Sequence, residues 1–287
     1  MILRALQSTL TRIWLLKRLW LLYYLTGFLF AALVAIPARS IISSYAGNTL
    51  MAGRLSGRMD LTFLIELLQY RGEAIKPLFL ITLLLAALFW LLLLFLSGGT
   101  LKLLGKDHPY RPREFWDACG RYFGRFVRLF LWSLPLLALL LLLPSLVTLV
   151  ERIIWGKDPA EPVAQWCTYI KMGGRYLALL LWAVCFDYAR ITAMQKNEKK
   201  TRRLLLPLLR FIGSHFVRLS MLALLLAVLS LLALGVYLLI AGWLRAPSAV
   251  VITLLFLWQQ LYMLLRAGLR LLSLGSQLKL YQEISRN

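Results

Sequence analysis

"CFDYARITAMQKNEKKTRRLLLPLLRFIGSHFVRL", residues 185–219, passes from one apolar run to another through a block of lysine and arginine. Upstream, "ALLLWAVCF" ends at Asp187-Tyr188-Ala189-Arg190; downstream, "MLALLLAVLSLLALGVYLLI" begins at Met221. An apolar stretch of about 20 residues is long enough to cross a bilayer as a helix. The stretch therefore reads as the end of one span, a basic linker and the start of another.

The whole chain follows this plan. Of its 287 residues 61% are hydrophobic and 16% charged, against roughly 45–50% and about 25% in soluble domains. No segment alternates polar and apolar residues as a transmembrane barrel strand does. The expected fold is all-α: a polytopic helical membrane protein with six transmembrane helices in one integral membrane domain, 1–287. The spans are placed near 15–36, 77–97, 128–150, 174–195, 217–243 and 248–273. Pro37, Pro77, Gly98-Gly99, Gly173-Gly174 and Pro247 stand as punctuation at their ends. The apolar part of the first span exceeds the 7–15 residues of a signal-peptide core, so it reads as an uncleaved anchor.

Lysine and arginine are unevenly distributed. With charges just inside the span ends included, 23 fall on the side of the two termini and ten on the other. Positive charge is retained in the cytoplasm. Both termini are therefore expected there, with the protein in the membrane that bounds the cytoplasm. The net charge of +21 then serves topology and contact with anionic headgroups, and no nucleic-acid partner is expected. Cys119, Cys167 and Cys185 fall in three different environments, which suggests neither a disulfide framework nor a metal set.

The cytoplasmic loops carry their own pattern. In "REFWDACGRYFGRFVRLF", 113–130, Phe115, Trp116, Cys119, Tyr122, Phe123 and Phe126 recur at helical spacing, with Arg121, Arg125 and Arg128 largely on another face. Such a basic amphipathic helix suits the membrane interface. "TRRLLLPLLRFIGSHFVRL", 201–219, with Arg202, Arg203 and Arg210, reads as a second copy; both end in Phe-Val-Arg-Leu, at 126–129 and 216–219. "LQSTLTRIWLLKRLW", 6–20, is a candidate third. Residues 112–127 and 202–215 are expected parallel to the membrane, with headgroup contacts from Trp116 and the arginines.

The far ends of the hairpins match as well. Leu101-Lys102-Leu103 lines up with Leu278-Lys279-Leu280, and Ala189-Arg190-Ile191 fits the same slot. The chain thus reads as three units, each an interfacial helix followed by a two-span hairpin.

Asp187 is the only acid inside the spans as placed. An unpaired carboxylate costs about 2.5–3.5 kcal/mol at mid-membrane. Arg190, three residues on, lies on a neighbouring face of the same turn. Either the two form a structural ion pair, with Arg121 or Arg125 as other possible cations, or they belong to a proton or substrate path. Gln259 and Gln260 are the other polar point of the apolar interior. They serve as an interhelical contact or as part of such a path. Pro135 and Pro144 suggest a kinked packing helix.

The motifs of catalysis are missing. The two histidines, His108 and His215, are far apart, and no zinc-protease, phosphate-loop or nucleophile-elbow pattern occurs. In "MDLTFLIELLQYRGE", 59–73, Asp60 and Glu66 read as the solvated side of an apolar helix. Asp107, Glu114 and Asp117 stand among arginines as paired acids. No catalytic residue, metal ligand or cofactor is expected.

Three segments carry a resemblance: "SGGTLKLLG…FWDACGRYFGRFVRLF", "FDYARITAMQKNEKKTRRLLLPLLRF" and "QLYMLLRAGLRLLSLGSQLKLYQ". They resemble a poorly characterised group of bacterial six-span membrane proteins. That group is distantly similar to the membrane domain attached to some glycerophosphodiester phosphodiesterases. The resemblance covers most of residues 80–283, with Asp187–Ile191 before the basic linker as its most specific part. It implies hairpins with interfacial helices and carries no catalytic site, because in those enzymes the chemistry belongs to a separate soluble domain. The expected function is a non-enzymatic membrane scaffold or anchor subunit of a larger envelope complex, with membrane lipids and a membrane protein as partners. The alternative is a transporter or lipid-handling protein.

Overall fold

The computed structural model describes residues 2–46, 72–106, 110–156, 160–195, 201–244 and 248–286. The described secondary structure is helical throughout: α1 (Ile2–Leu15), α2 (Lys17–Ala46), α3 (Gly72–Gly105), α4 (Pro112–Leu142), a 3-10 turn (Leu143–Ser145), α5 (Leu146–Trp155), α6 (Glu161–Gln195), α7 (Thr201–Trp243) and α8 (Ala249–Arg286). Six helical stretches are long and apolar enough to cross a membrane: 17–40, 76–105, 112–155, 161–195, 210–243 and 249–285. The protein is an all-α, multi-pass membrane protein.

Several residues read as span ends lie inside helices. Pro37 is within α2 and Pro77 within α3. Gly98-Gly99 lies within α3, and Gly173-Gly174 within α6. Gly98, Gly99 and Gly174 are packing positions: a Cβ on Gly174 would lie 3.1 Å from Pro144 Cγ. Small residues let membrane helices approach closely, and neighbouring helices tolerate proline within a span. α6 begins at Glu161, thirteen residues before the expected 174, and α8 runs on past 273 to Arg286. Acidic Asp60 and Glu66, with the helix expected around them, lie outside the described residues, as does Asp107.

Three helices precede hairpins, and they differ. α1 is set off from α2 at Leu16. α7 breaks at His215, where φ is −121° and ψ 18°. Residues 112–127, in contrast, run into 128–142 as one helix, so the expected separate interfacial helix does not exist there. Its aromatic face is not turned to lipid either: Phe115, Cys119, Tyr122 and Phe126 are buried in protein. The reason is Gly98-Gly99. A Cβ on Gly99 would fall 2.5 Å from Phe115 Cδ2 and 2.7 Å from Cys119 Sγ, and one on Gly98 3.1 Å from Tyr122 Cβ. The glycines open a slot on α3, and the aromatic face of α4 fills it.

The chain divides into two compact units. One contains residues 1–11, 95–226 and 272–287; the other contains 12–94 and 227–271. The first holds the three matching hairpin ends. The Ala189-Arg190-Ile191 segment sits two residues off the slot expected for it: setting Ile191, rather than Ala189, against Leu101 and Leu278 aligns three fully buried side chains. The same register aligns Gly99, Ala189 and Ser276, all small and all buried. It also aligns Gly98, Tyr188 and Gly275, and each of these meets the helix that follows or closes the series. Gly98 faces Tyr122 of α4, Tyr188 packs 6.3 Å from Phe211 of α7, and Gly275 faces Thr9 of α1. Each hairpin end is thus covered by the leading helix of another repeat, and the third closes back on the first.

In this unit α6 is the enclosed helix: 50% of its most apolar stretch is buried, against 11% or less in the other five spans. The second unit has a different adhesive. Trp20 Nε1 donates to Leu264 O at 2.7 Å, and its ring covers Gly268, where a Cβ would lie 3.0 Å away. Trp258 Nε1 donates to Tyr237 O at 3.2 Å. Indole N–H groups use helix carbonyls here because hydrocarbon offers no other acceptor.

Candidate functional site

Burying a hydroxyl inside the first unit is inexpensive when its own helix accepts the hydrogen bond. Thr100 Oγ1 donates to Leu96 O at 2.9 Å, Thr192 Oγ1 to Tyr188 O at 2.8 Å and Ser276 Oγ to Leu272 O at 2.7 Å. The three hairpin ends therefore share one device, a hydroxyl bonded four residues back along the helix. The register position before Leu101, Ile191 and Leu278 holds Thr100, Arg190 and Gln277, and all three are buried. Threonine satisfies itself there. Arginine and glutamine are too long to do so and need a partner.

Asp187 is that partner. Arg190 Nη2 donates to Asp187 Oδ1, and Gln277 Nε2 donates to Asp187 Oδ2 at 3.1 Å. Both carboxylate oxygens are engaged, one within α6 and one across to α8. The Arg190 side chain is 4% exposed and that of Asp187 20%, so the cation is the deeper charge and the acid sits at its rim. The guanidinium carbon also lies 4.8 Å from the Phe186 ring centroid, a cation–π contact. Phe186 in turn stacks on Trp182 at 5.7 Å, and Trp182 Nε1 donates to Ser133 O of α4 at 3.2 Å. The chain of contacts runs from α8 through α6 to α4.

Three polar atoms of this cluster are buried without a hydrogen-bond partner among the described residues: Tyr188 OH, Arg190 Nε and Gln277 Oε1. An unsatisfied buried donor or acceptor costs about 1–3 kcal/mol. The cluster thus combines one engaged carboxylate with a hydroxyl, a guanidinium N–H and an amide oxygen still able to bond.

The other expected contacts resolve individually. Arg121 pairs with Asp117 at 3.1 Å, and Arg125 lies over Tyr122 with its Cζ 5.5 Å from the ring centroid; neither is the cation on Asp187. Glu114 pairs with Lys106 at 3.5 Å and Arg111 at 3.6 Å. Trp116, Arg128 and Arg210 are exposed. Arg202 and Arg203 lie in the first turn of α7. The glutamine pair splits: Gln260 Oε1 accepts from Tyr24 OH at 2.9 Å, while Gln259 is exposed.

Sequence reasoning missed Gln277. It sits in the matched segment "LGSQLKLYQ", but the sequence match sets Arg190 against Lys279, and nothing in one dimension brings α8 to α6. It also missed an ion pair. Lys171 Nζ lies 3.2 Å from Glu151 Oε2, joining α5 to the early turns of α6. The sequence pattern puts both residues in a loop, because it starts the helix only at 174.

No protein-family model, no curated protein and no solved structure matches this chain.

Proposed function

We propose that this multi-pass protein is a non-enzymatic scaffold or anchor subunit of a larger complex in a bacterial cytoplasmic membrane, with both termini in the cytoplasm. One observation supports it most. The buried charged centre is used as a staple, with both oxygens of Asp187 committed to side chains on α6 and α8. A staple of this kind makes the helices a fixed platform. The 23-to-10 asymmetry of lysine and arginine supports the orientation. The sequence resemblance to the membrane part of enzymes whose chemistry lies elsewhere supports the same reading.

The test is affinity purification of the full chain in mild detergent, followed by mass spectrometry and determination of stoichiometry. A membrane protein recovered at fixed ratio, and lost when the assembly is disrupted by Asp187→Asn, is the expected result. A purely monomeric species in every detergent and in nanodiscs would overturn it.

A second reading, a transporter, is favoured by the unpartnered Tyr188 OH, Arg190 Nε and Gln277 Oε1 beside a partly exposed carboxylate. Under that reading Asp187→Asn abolishes transport while the protein stays fully stable. Under the scaffold reading stability falls first.

A further inference from the structure

The second unit contains an open groove of about 370 Å³ between α2, α3 and α8. Along α2 its lining runs from Tyr23 to Val34. At 1.5 Å per residue, eleven steps make about 16 Å. Half the hydrocarbon thickness of a bilayer is about 15 Å, so the groove has the depth of one leaflet.

Its wall is apolar over most of that depth, with Phe30 and Phe89 5.2 Å apart between α2 and α3. The charge of its lining lies on α8. Arg266 and Arg270, four residues apart on one helical face, both line the groove and both are exposed, and among the described residues no acid lines it. They stand at the level where Trp20 covers Gly268, and tryptophan belts mark the headgroup region of a membrane. Arginine matches phosphate oxygens through paired N–H donors. The groove therefore joins an acyl-length apolar channel to a pair of guanidinium groups at its headgroup end.

We propose that this groove is a binding site for an anionic phospholipid. One acyl chain lies between α2 and α3, and the phosphate is held by Arg266 and Arg270. The site is independent of the scaffold reading, since a platform and a lipid-handling protein could both use it.

The test is native mass spectrometry and lipid extraction on the full chain, purified from nanodiscs of phosphatidylglycerol and phosphatidylcholine in equal amounts. The wild type should retain phosphatidylglycerol at about one molecule per chain, preferred over phosphatidylcholine by about tenfold to thirtyfold, as expected for two cations at the surface. Arg266→Gln with Arg270→Gln should abolish the preference while the melting temperature in detergent stays within a few degrees. Ala31→Phe, which fills the groove and keeps both arginines, should remove the retained lipid. Millimolar inorganic phosphate should not displace it, because phosphate lacks the chain. Equal retention of the two lipids by the wild type would overturn the proposal. So would an unchanged preference in the double variant, displacement by phosphate alone, or a second protein seated on Phe30 and Phe89 in crosslinking.

Discussion

Gln277 Nε2 donates to Asp187 Oδ2 at 3.1 Å across ninety residues of sequence. The other oxygen of that carboxylate accepts from Arg190. The bond links the ends of the second and third hairpins, and Gln277 stands at the register position of Arg190, the other donor to the same carboxylate. A buried arginine at 190 needs an anion, and the anion in turn uses glutamine at 277.

Asp187→Asn leaves Arg190 buried with a neutral partner. Stranding a buried cation costs about 3–5 kcal/mol, and the thermal midpoint in detergent should fall accordingly. Asp187→Leu combined with Arg190→Met removes both charges and should cost less than the single change. If Asp187→Asn melts with the wild type, the ion pair is not what holds α6.

Gln277→Ala removes one hydrogen bond to a charged group, worth about 1.5–3 kcal/mol. Gln277→Glu places a second carboxylate against Asp187 and should be the more harmful of the two. Combining Gln277→Ala with Asp187→Asn should be less than additive, because both act on one network. A double-mutant cycle on chemical or thermal unfolding checks the coupling, and strict additivity would separate the two residues.

Gly99→Ala puts a methyl carbon 2.5 Å from Phe115 and 2.7 Å from Cys119 Sγ. Overpacking of this kind costs about 1–3 kcal/mol. Gly120→Ala on α4, where no described residue lies within 4 Å of the added carbon, should be neutral or stabilise by about 0.5–1 kcal/mol. The comparison is read from melting temperatures of the two variants in one detergent.

Orientation is tested by cysteine-accessibility labelling in a background without native cysteines. Positions 48 and 158 should react with an impermeant reagent from outside. Positions 107, 199 and 285 should react only after permeabilisation. An outside reaction at 199 together with protection at 158 would invert the topology.

Composition and apolar run length alone led to an all-α chain with six spans, because a backbone in hydrocarbon must satisfy its own hydrogen bonds and can do so only in long apolar helices. The match between the first and third hairpin ends was legible too, in Leu101-Lys102-Leu103 and Leu278-Lys279-Leu280, while the second, at Ala189-Arg190-Ile191, lay two residues off the slot its sequence suggests. So was the proximity of Asp187 to Arg190, since i,i+3 contacts belong to a single helix. What the aromatic face of residues 115–126 touches was not legible. Its periodicity is the same whether it meets lipid or protein, and only the close approach allowed by Gly98-Gly99 decided for protein. Glycine in a membrane helix reads equally as an end or as a contact, so helix limits near 98 and 174 shifted as well. Gln277 and the groove beside Arg266 and Arg270 depend on which helices become neighbours. That choice is made by packing between side chains far apart in the chain, and local spacing carries no record of it.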